Sequence, residues 1–274
     1  MKCLILGSSG QIGSSLCSYY ERAGHTVERF DIAANPKEDL RAYNNPLLKT
    51  KIEGSDFVFF LAFDVGGSHY LEKYEKTFSF MHNNVSIMSN TFDLLEQTKK
   101  PFLFTSSQMS NMGYSSYGTL KKIGEWYTKM LKGVVVKFWN VYGIEPDLEK
   151  SHVITDFVLK ARDSGVINML TDGTEKRQFL YSEDCCEALY AVCSNYTEID
   201  RDAEIHITTH EWSSILEVAN EVSNSFPAKI VPGESKDNIQ RGKINEPDPY
   251  ILNFWKPKTS LSDGIRRVCE YYEK

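Results

Sequence analysis

Tyr117 and Lys121 stand four residues apart in a stretch with helical periodicity, so both side chains leave one face of a helix. A phenol titrates near 10 in water and is a poor base at neutral pH. An adjacent ammonium favours its phenolate, which makes the two residues a pair able to abstract a proton. With 15 tyrosines in the chain such a spacing can arise by chance, and position gives this one its weight. The pair opens the helix that follows an apolar strand, Phe102-Leu103-Phe104, which runs on into Thr105-Ser106-Ser107. In open sheets of parallel strands, ligands bind beyond the carboxyl ends of the strands, where this pair falls.

A second set of residues lies near the start. Gly7, Gly10 and Gly13 form G-x-x-G-x-x-G, with Gln11 and Ile12 inside the turn, between the apolar run Cys3-Leu4-Ile5-Leu6 and a helical stripe of Ile12, Leu16, Tyr19, Tyr20 and Ala23. Glycines there let the backbone turn tightly and approach a pyrophosphate, which the free N–H groups of the helix N-terminus attract. Asp31 ends the next strand-like run, Thr26 to Phe30, eighteen residues after Gly13. A carboxylate in that place accepts hydrogen bonds from the adenosine ribose and repels a 2′-phosphate, which selects NAD over NADP. No arginine follows it; the next residues are Ile32, Ala33 and Ala34. A positive nicotinamide ring near Tyr117 would further favour the phenolate.

These residues need a scaffold, and the order of elements supplies one. Strand-like Asp56 to Phe63, a helix from about Asn84 to Thr98, the strand at Phe102 to Phe104, a helix from about Tyr117 to Leu131 and a strand Val134-Val135-Val136 alternate along the chain. This alternation predicts an α/β fold, a Rossmann-type doubly wound parallel sheet covered on both faces. After Gly143 the rhythm changes to short helices and strands, with a capping-box helix start at Ser214 and Glu217. We expect an NAD-binding domain over 1–148 and a smaller α/β substrate-binding region over 149–274, interleaved with the first.

The composition excludes other classes. The chain has 274 residues, a net charge of −6 and no Lys/Arg block, which argues against a nucleic-acid binder or a membrane-surface protein. No apolar run approaches the ~18 residues of a membrane span and no leader pattern precedes the first strand, so a cytoplasmic protein is expected. The six cysteines show no metal spacing and read as reduced thiols. His206 and His210 lie four apart beside Glu211, but in a strand pattern where that spacing does not make a ligand pair, so no metal is expected. The aromatics Trp126, Tyr127, Trp139 and Tyr142 are expected in the core, with Phe63 and Tyr114 near the site.

The sequence resembles the extended short-chain dehydrogenase/reductases, the NAD-dependent epimerase/dehydratase family that acts on nucleotide sugars, over nearly its whole length. The matching residues are Leu61-Ala62-Phe63, Asn84-Val85 with Asn90, Trp139-Asn140-Val141-Tyr142-Gly143, Asp172-Gly173 through Arg177, Phe179-Leu180-Tyr181 and Asp184, and the terminal Trp255-Lys256-Pro257 with Gly264-Ile265. The resemblance implies that Ser107 bonds a sugar hydroxyl, that Tyr117 removes its proton, and that Lys121 binds the nicotinamide ribose and tunes Tyr117. It also implies that Leu61, Ala62 and Ile32 line the cofactor, that Phe63 lies by the sugar, and that Asn140 and Arg177, with Arg241 as a weaker candidate, hold the nucleotide diphosphate. A homodimer through the helices near Asn84 and Tyr117 is implied in the same way.

The sequence departs from that pattern in informative places. Dehydratases and decarboxylases of the family carry acidic residues after the catalytic Ser/Thr, whereas this chain has Gln108 and Met109. The stretch from Ser107 to Tyr117 is short, and Ile87, Lys137 and Gln178 replace Gly, Arg and Asp. The expected reaction is NAD-dependent oxidoreduction at C4 of a nucleotide-diphosphate sugar, with 4-epimerisation as the net result. A 4-dehydrogenase or 4-keto reductase is the alternative, and a non-catalytic NAD-binding protein a remote one.

Overall fold

A computed structural model describes residues 1–236 and 245–274. In chain order the first half forms β1 (Lys2–Leu6), α1 (Gln11–Arg22), β2 (Thr26–Phe30), α2 (Pro46–Glu53), β3 (Phe57–Phe60), α3 (Ser68–Tyr74), α4 (Phe78–Thr98), β4 (Phe102–Ser107), α5 (Ser116–Met130) and β5 (Val134–Phe138). There follow β6 (Asn140–Tyr142), α6 (Val153–Ser164), β7 (Val166–Asn168), β8 (Lys176–Arg177), β9 (Phe179–Tyr181), α7 (Ser182–Ser194), β10 (Ile205–Ile207), β11 (Ser213–Ser214), α8 (Ile215–Ser225), β12 (Lys229–Val231) and α9 (Leu261–Tyr272). None of the helices among the described residues is long and apolar enough to cross a membrane.

The main sheet runs β10-β5-β4-β3-β1-β2, and every pairing in it is parallel. Its strands are apolar at successive positions because both faces are covered. Cys3 and Ile5 of β1 point to a core shared with Leu16, Tyr20 and α7, while Leu4 and Leu6 point to one shared with Phe60, Phe92 and Leu120. The edge strand β10 comes from the second half of the chain and pairs with β5. The remaining core, of Ile154, Phe157, Val218, Val222, Ile265 and Val268, packs α6, α8 and α9 against one another.

Several elements differ from the pattern. The helix expected from Asn84 begins at Phe78, because Thr77 caps it by accepting from the Phe80 N–H at 3.3 Å. Helix α2 was not foreseen, although Asn45 followed by Pro46 is a start signal: the Asn45 side chain accepts from Leu47 and Leu48 N–H. Of the aromatics expected in the core, Tyr142 is buried, but Trp126 is 59% and Tyr127 40% exposed. Both lie on the outer face of α5, and helical spacing alone does not say which stripe faces the sheet.

Candidate active site

The first turn after β1 is built around glycines for steric reasons. Gly7 has φ +86°, and a Cβ on it would lie 2.8 Å from the backbone of Ala62. A Cβ on Gly13 would drive into the Gly7 carbonyl oxygen, so α1 could not pass so close to the strand end. The N-cap of α1 is Gly10, no side chain caps the helix and its first turn holds no acidic residue. Those amides are left for an anion. The Nε2 atom of Gln11 is buried there with no partner among the described residues.

Asp31 sits against this turn: one carboxylate oxygen accepts from the Ser9 N–H at 2.9 Å and the other from the Ala33 N–H at 2.9 Å. Each oxygen has a lone pair left for a ribose hydroxyl. Behind it lies a residue the sequence reading missed. The buried Glu38 accepts from the Asp31 N–H at 2.8 Å and pairs with Lys51 at 2.8 Å, which fixes the loop that carries Asp31. Glu38 had no motif to reveal it, being set by the fold of the loop after β2. Ile32 is 45% exposed beside Asp31, and Ala62 abuts Gly7 at the end of β3. Leu61 continues β3 by donating its N–H to the Leu6 carbonyl at 3.1 Å. A glycine cradle, free helix amides and a carboxylate at the ribose position together fit NAD. When bound, NAD supplies a hydride acceptor.

Beta strand β4 and helix α5 bring the proton-handling residues together. Ser107, the last residue of β4, is buried and accepts from the Met109 N–H at 3.2 Å. Its hydroxyl lies close enough to Tyr117 to favour the ionised phenol. Helix α5 is capped by Ser115, which accepts from the Gly118 N–H and donates to Glu75 at 3.0 Å, so the turn carrying Tyr117 is fixed at both ends. Lys121 is buried, donates to the Thr105 carbonyl at 2.7 Å and lies 5.8 Å from the Tyr117 ring centroid. The Phe63 ring packs edge-on to Tyr117 at 5.7 Å and lies 3.8 Å beneath the Lys121 ammonium, a cation–π contact.

Desolvation acts on both members of the pair. Burial pushes the Tyr117 phenol up to about 12, partly offset by the nearby Ser107 hydroxyl. Burial brings Lys121 down to about 7, with the Glu125 carboxylate acting the other way. Each shift favours an uncharged group. A substrate hydroxyl placed beside Ser107 then meets a Tyr–Lys unit able to take its proton.

The expected phosphate-binding residues come from the strands beyond. Ser107 is opposite Phe138 in the β4–β5 register, and Asn140 follows two residues on. The Asn140 N–H donates to the Gln178 carbonyl at 3.3 Å, next to Arg177, so the structure brings Asn140 and Arg177 to neighbouring strand ends. The Oδ1 atom of Asn140 is buried without a partner among the described residues, and Arg177 donates to the Lys176 carbonyl at 2.7 Å. Arg241 lies outside the described residues. Gln108, next to Ser107, is buried, and its backbone carbonyl and Oε1 accept from Asn245 Nδ2 at 2.8 and 2.9 Å. Tyr114, expected near the sugar, is 51% exposed and contacts Met112.

The chain shares its fold and part of its sequence with known proteins. A curated GDP-L-fucose synthase of Sinorhizobium fredii is 33% identical over 142 residues, covering 48% of this chain and 44% of that protein, less than half its length. The solved UDP-glucose 4-epimerase of Thermus thermophilus in complex with NAD has a TM-score of 0.79 at 17% identity, covering 100% of this chain and 99% of that one. A GDP-6-OMe-4-keto-L-xylo-heptose reductase from C. jejuni has a TM-score of 0.83 at 19% identity, covering 99% and 97%. The sequence profile of the NAD dependent epimerase/dehydratase family matches residues 3–207, and the chain belongs to that family of NAD-dependent enzymes.

Proposed function

We propose that this enzyme oxidises C4 of a nucleotide-diphosphate sugar with NAD and returns the hydride to the opposite face, a nucleotide-sugar 4-epimerase. The observation that carries this reading is the Ser107–Tyr117–Lys121 cluster at the carboxyl edge of β4, joined to the glycine turn by the parallel sheet. Tyr117 takes the C4 hydroxyl proton, Ser107 orients that hydroxyl, and Lys121 bonds the nicotinamide ribose. Asn140 and Arg177 hold the diphosphate, Arg by paired N–H donors. Gln108 supports redox chemistry confined to C4. Dehydration needs a second acid/base, and an amide tethered by Asn245 supplies none.

Residues 1–148 would form the cofactor-binding domain and 149–274 the substrate-binding region. A homodimer through α4 and α5 is part of the proposal: Phe78, Met81, Val85, Ile123, Trp126 and Met130 are all exposed on these two helices. The deciding experiment incubates the protein and NAD with UDP-, GDP-, CDP- and dTDP-sugars and reads products by mass spectrometry and NMR. A C4 epimer without net NADH supports the reading. Stoichiometric NADH with a keto sugar would instead identify a 4-dehydrogenase, and NADH consumption by a 4-keto sugar a reductase.

A further inference from the structure

Helix α5 carries more charge chemistry than the reaction uses. One turn beyond Lys121, the buried Glu125 accepts from the Ser106 hydroxyl at 2.6 Å, pairs with Lys122 at 2.9 Å and lies 3.7 Å from Lys137 of β5. Lys137, whose side chain is 2% exposed, is held at 2.6 Å by Glu204, which immediately precedes the edge strand β10. The other Glu204 oxygen lies 3.0 Å from His206 Nε2, and His206 Nδ1 lies 3.0 Å from the Trp139 indole nitrogen.

An indole N–H can only donate, so Nδ1 of His206 must accept and its proton sits on Nε2, facing Glu204. His206 is therefore neutral, in keeping with a lowered proton affinity whose leading cause is burial. Burial opposes the charge on Glu204, yet hydrogen bonds from Lys137 and His206 hold it down to about 2. The unbroken series Glu204–Lys137–Glu125 thus alternates in sign and ends one helical turn from Lys121.

We propose that Glu204 is a positioning residue for the Tyr117–Lys121 pair: it draws the shared Lys137 ammonium to 2.6 Å from its own oxygen against 3.7 Å from Glu125, which leaves the Glu125 carboxylate to act on Lys121. The inference rests on the proposed chemistry of that pair for its consequence in turnover, but the coupling itself does not depend on it. The groups facing Lys121 are Glu125 and Tyr117 of α5, Phe63, and Phe104 and the Thr105 carbonyl of β4; those facing Glu125 are Ser106, Lys122 and Lys137. Near His206 lie Glu204, Lys137, His210 and Asp248.

The sign follows from charge. In Glu204→Gln one anion is lost and Lys137 turns to Glu125, both of which make Lys121 release its proton more readily. In the double variant Lys137→Met/Glu204→Gln the cation is gone as well, Glu125 keeps only Lys122 as an ionic partner, and Lys121 holds its proton more tightly. The two titrations should move in opposite directions, each by about half a pH unit, with Glu204→Asp close to wild type.

Two readouts test this in the full-length protein: the 13Cε NMR titration of Lys121, assigned with Lys121→Met, and the acid limb of kcat/KM against pH. A Lys121 titration unmoved in both variants, or moved the same way in both, overturns the proposal. Should Glu204→Gln fail to fold, the double variant leaves no charge orphaned, and its upward shift or the lack of one decides. If Tyr117→Phe proved fully active, the reading of the reaction would fall while the NMR titration still judged the coupling.

Discussion

Lys121 should be held in place at a cost to the fold, and that cost can be measured. Its ammonium falls from 10.5 to about 7 on folding. At 1.36 kcal/mol per unit this corresponds to about 5 kcal/mol of destabilisation when both states are protonated. Because the folded-state value is the lower one, the unfolded chain binds the extra proton between about 7 and 10.5, and stability rises with pH across that window. Lys121→Met removes the titrating group and keeps the aliphatic stem, but it strips the Thr105 carbonyl of its 2.7 Å donor. That loss costs about 1–3 kcal/mol, which leaves a net gain of about 3 kcal/mol at pH 6.5. For 274 residues, with an unfolding entropy of about 2.1 cal/mol/K per residue, the melting temperature rises by about 5 °C. The assay is thermal unfolding of the NAD-free protein by circular dichroism at pH 6.5 and at pH 10, together with turnover. The inactive variant should melt higher than wild type at pH 6.5 and lose that advantage by pH 10. A variant melting at or below wild type at pH 6.5, or one equally advantaged at both pH values, refutes the burial argument.

Tyr117→Phe keeps the ring packing against Phe63 and deletes the phenol hydroxyl beside Ser107. It should cut kcat by about 10³-fold while calorimetry shows sugar-nucleotide affinity unchanged. Asp31→Ser should weaken NAD binding about 10-fold and strengthen NADP binding, since the carboxylate set against the glycine turn no longer repels a 2′-phosphate; tighter binding of NADP than NAD by the wild-type protein would contradict the role of Asp31. Trp126→Glu places a charge on the exposed face of α5, and sedimentation should shift from the proposed dimer to a monomer with the circular dichroism spectrum unchanged.

Where the sequence was easy to read, the period of the apolar residues and the local steric demands coincided. The run Cys3 to Leu6, the stop at Gly7 and the stripe through Leu16 and Tyr20 describe one strand, one turn and one helix, and each is set by neighbours close in the chain. The same holds for α8, whose Ser214–Glu217 capping box is present as read. Helix α3 carries too little periodicity in seven residues to be seen. Its position is set by bonds to groups outside the helix, such as Tyr70 to Asp64 at 2.6 Å and the Gly67 N–H to the Lys150 carbonyl at 3.0 Å. The faces of α5 were misjudged for a related reason. Six of its fifteen residues are buried, Gly118, Leu120, Lys121, Gly124, Glu125 and Thr128, so the inward stripe mixes glycines and charges with one leucine and one threonine, and the aromatic Trp126 is left outside.

That inward stripe explains why the site was only half legible. Ser107, Tyr117 and Lys121 could be found because their spacing is local to one strand and one helix. The residues that set their behaviour come from elsewhere in the sequence: Glu75 against the cap of α5, Asn245 on Gln108, Glu38 behind Asp31, and Glu204 reaching Lys137 across the β5–β10 pairing. None belongs to a motif, and each is polar in a way that reads as surface. The glutamates and lysines of an acidic chain are individually uninformative. Their meaning comes from burial, since a lysine with a 2% exposed side chain must have carboxylates beside it, and the burial of Glu125, whose side chain is 5% exposed, lets it act on Lys121 with little screening.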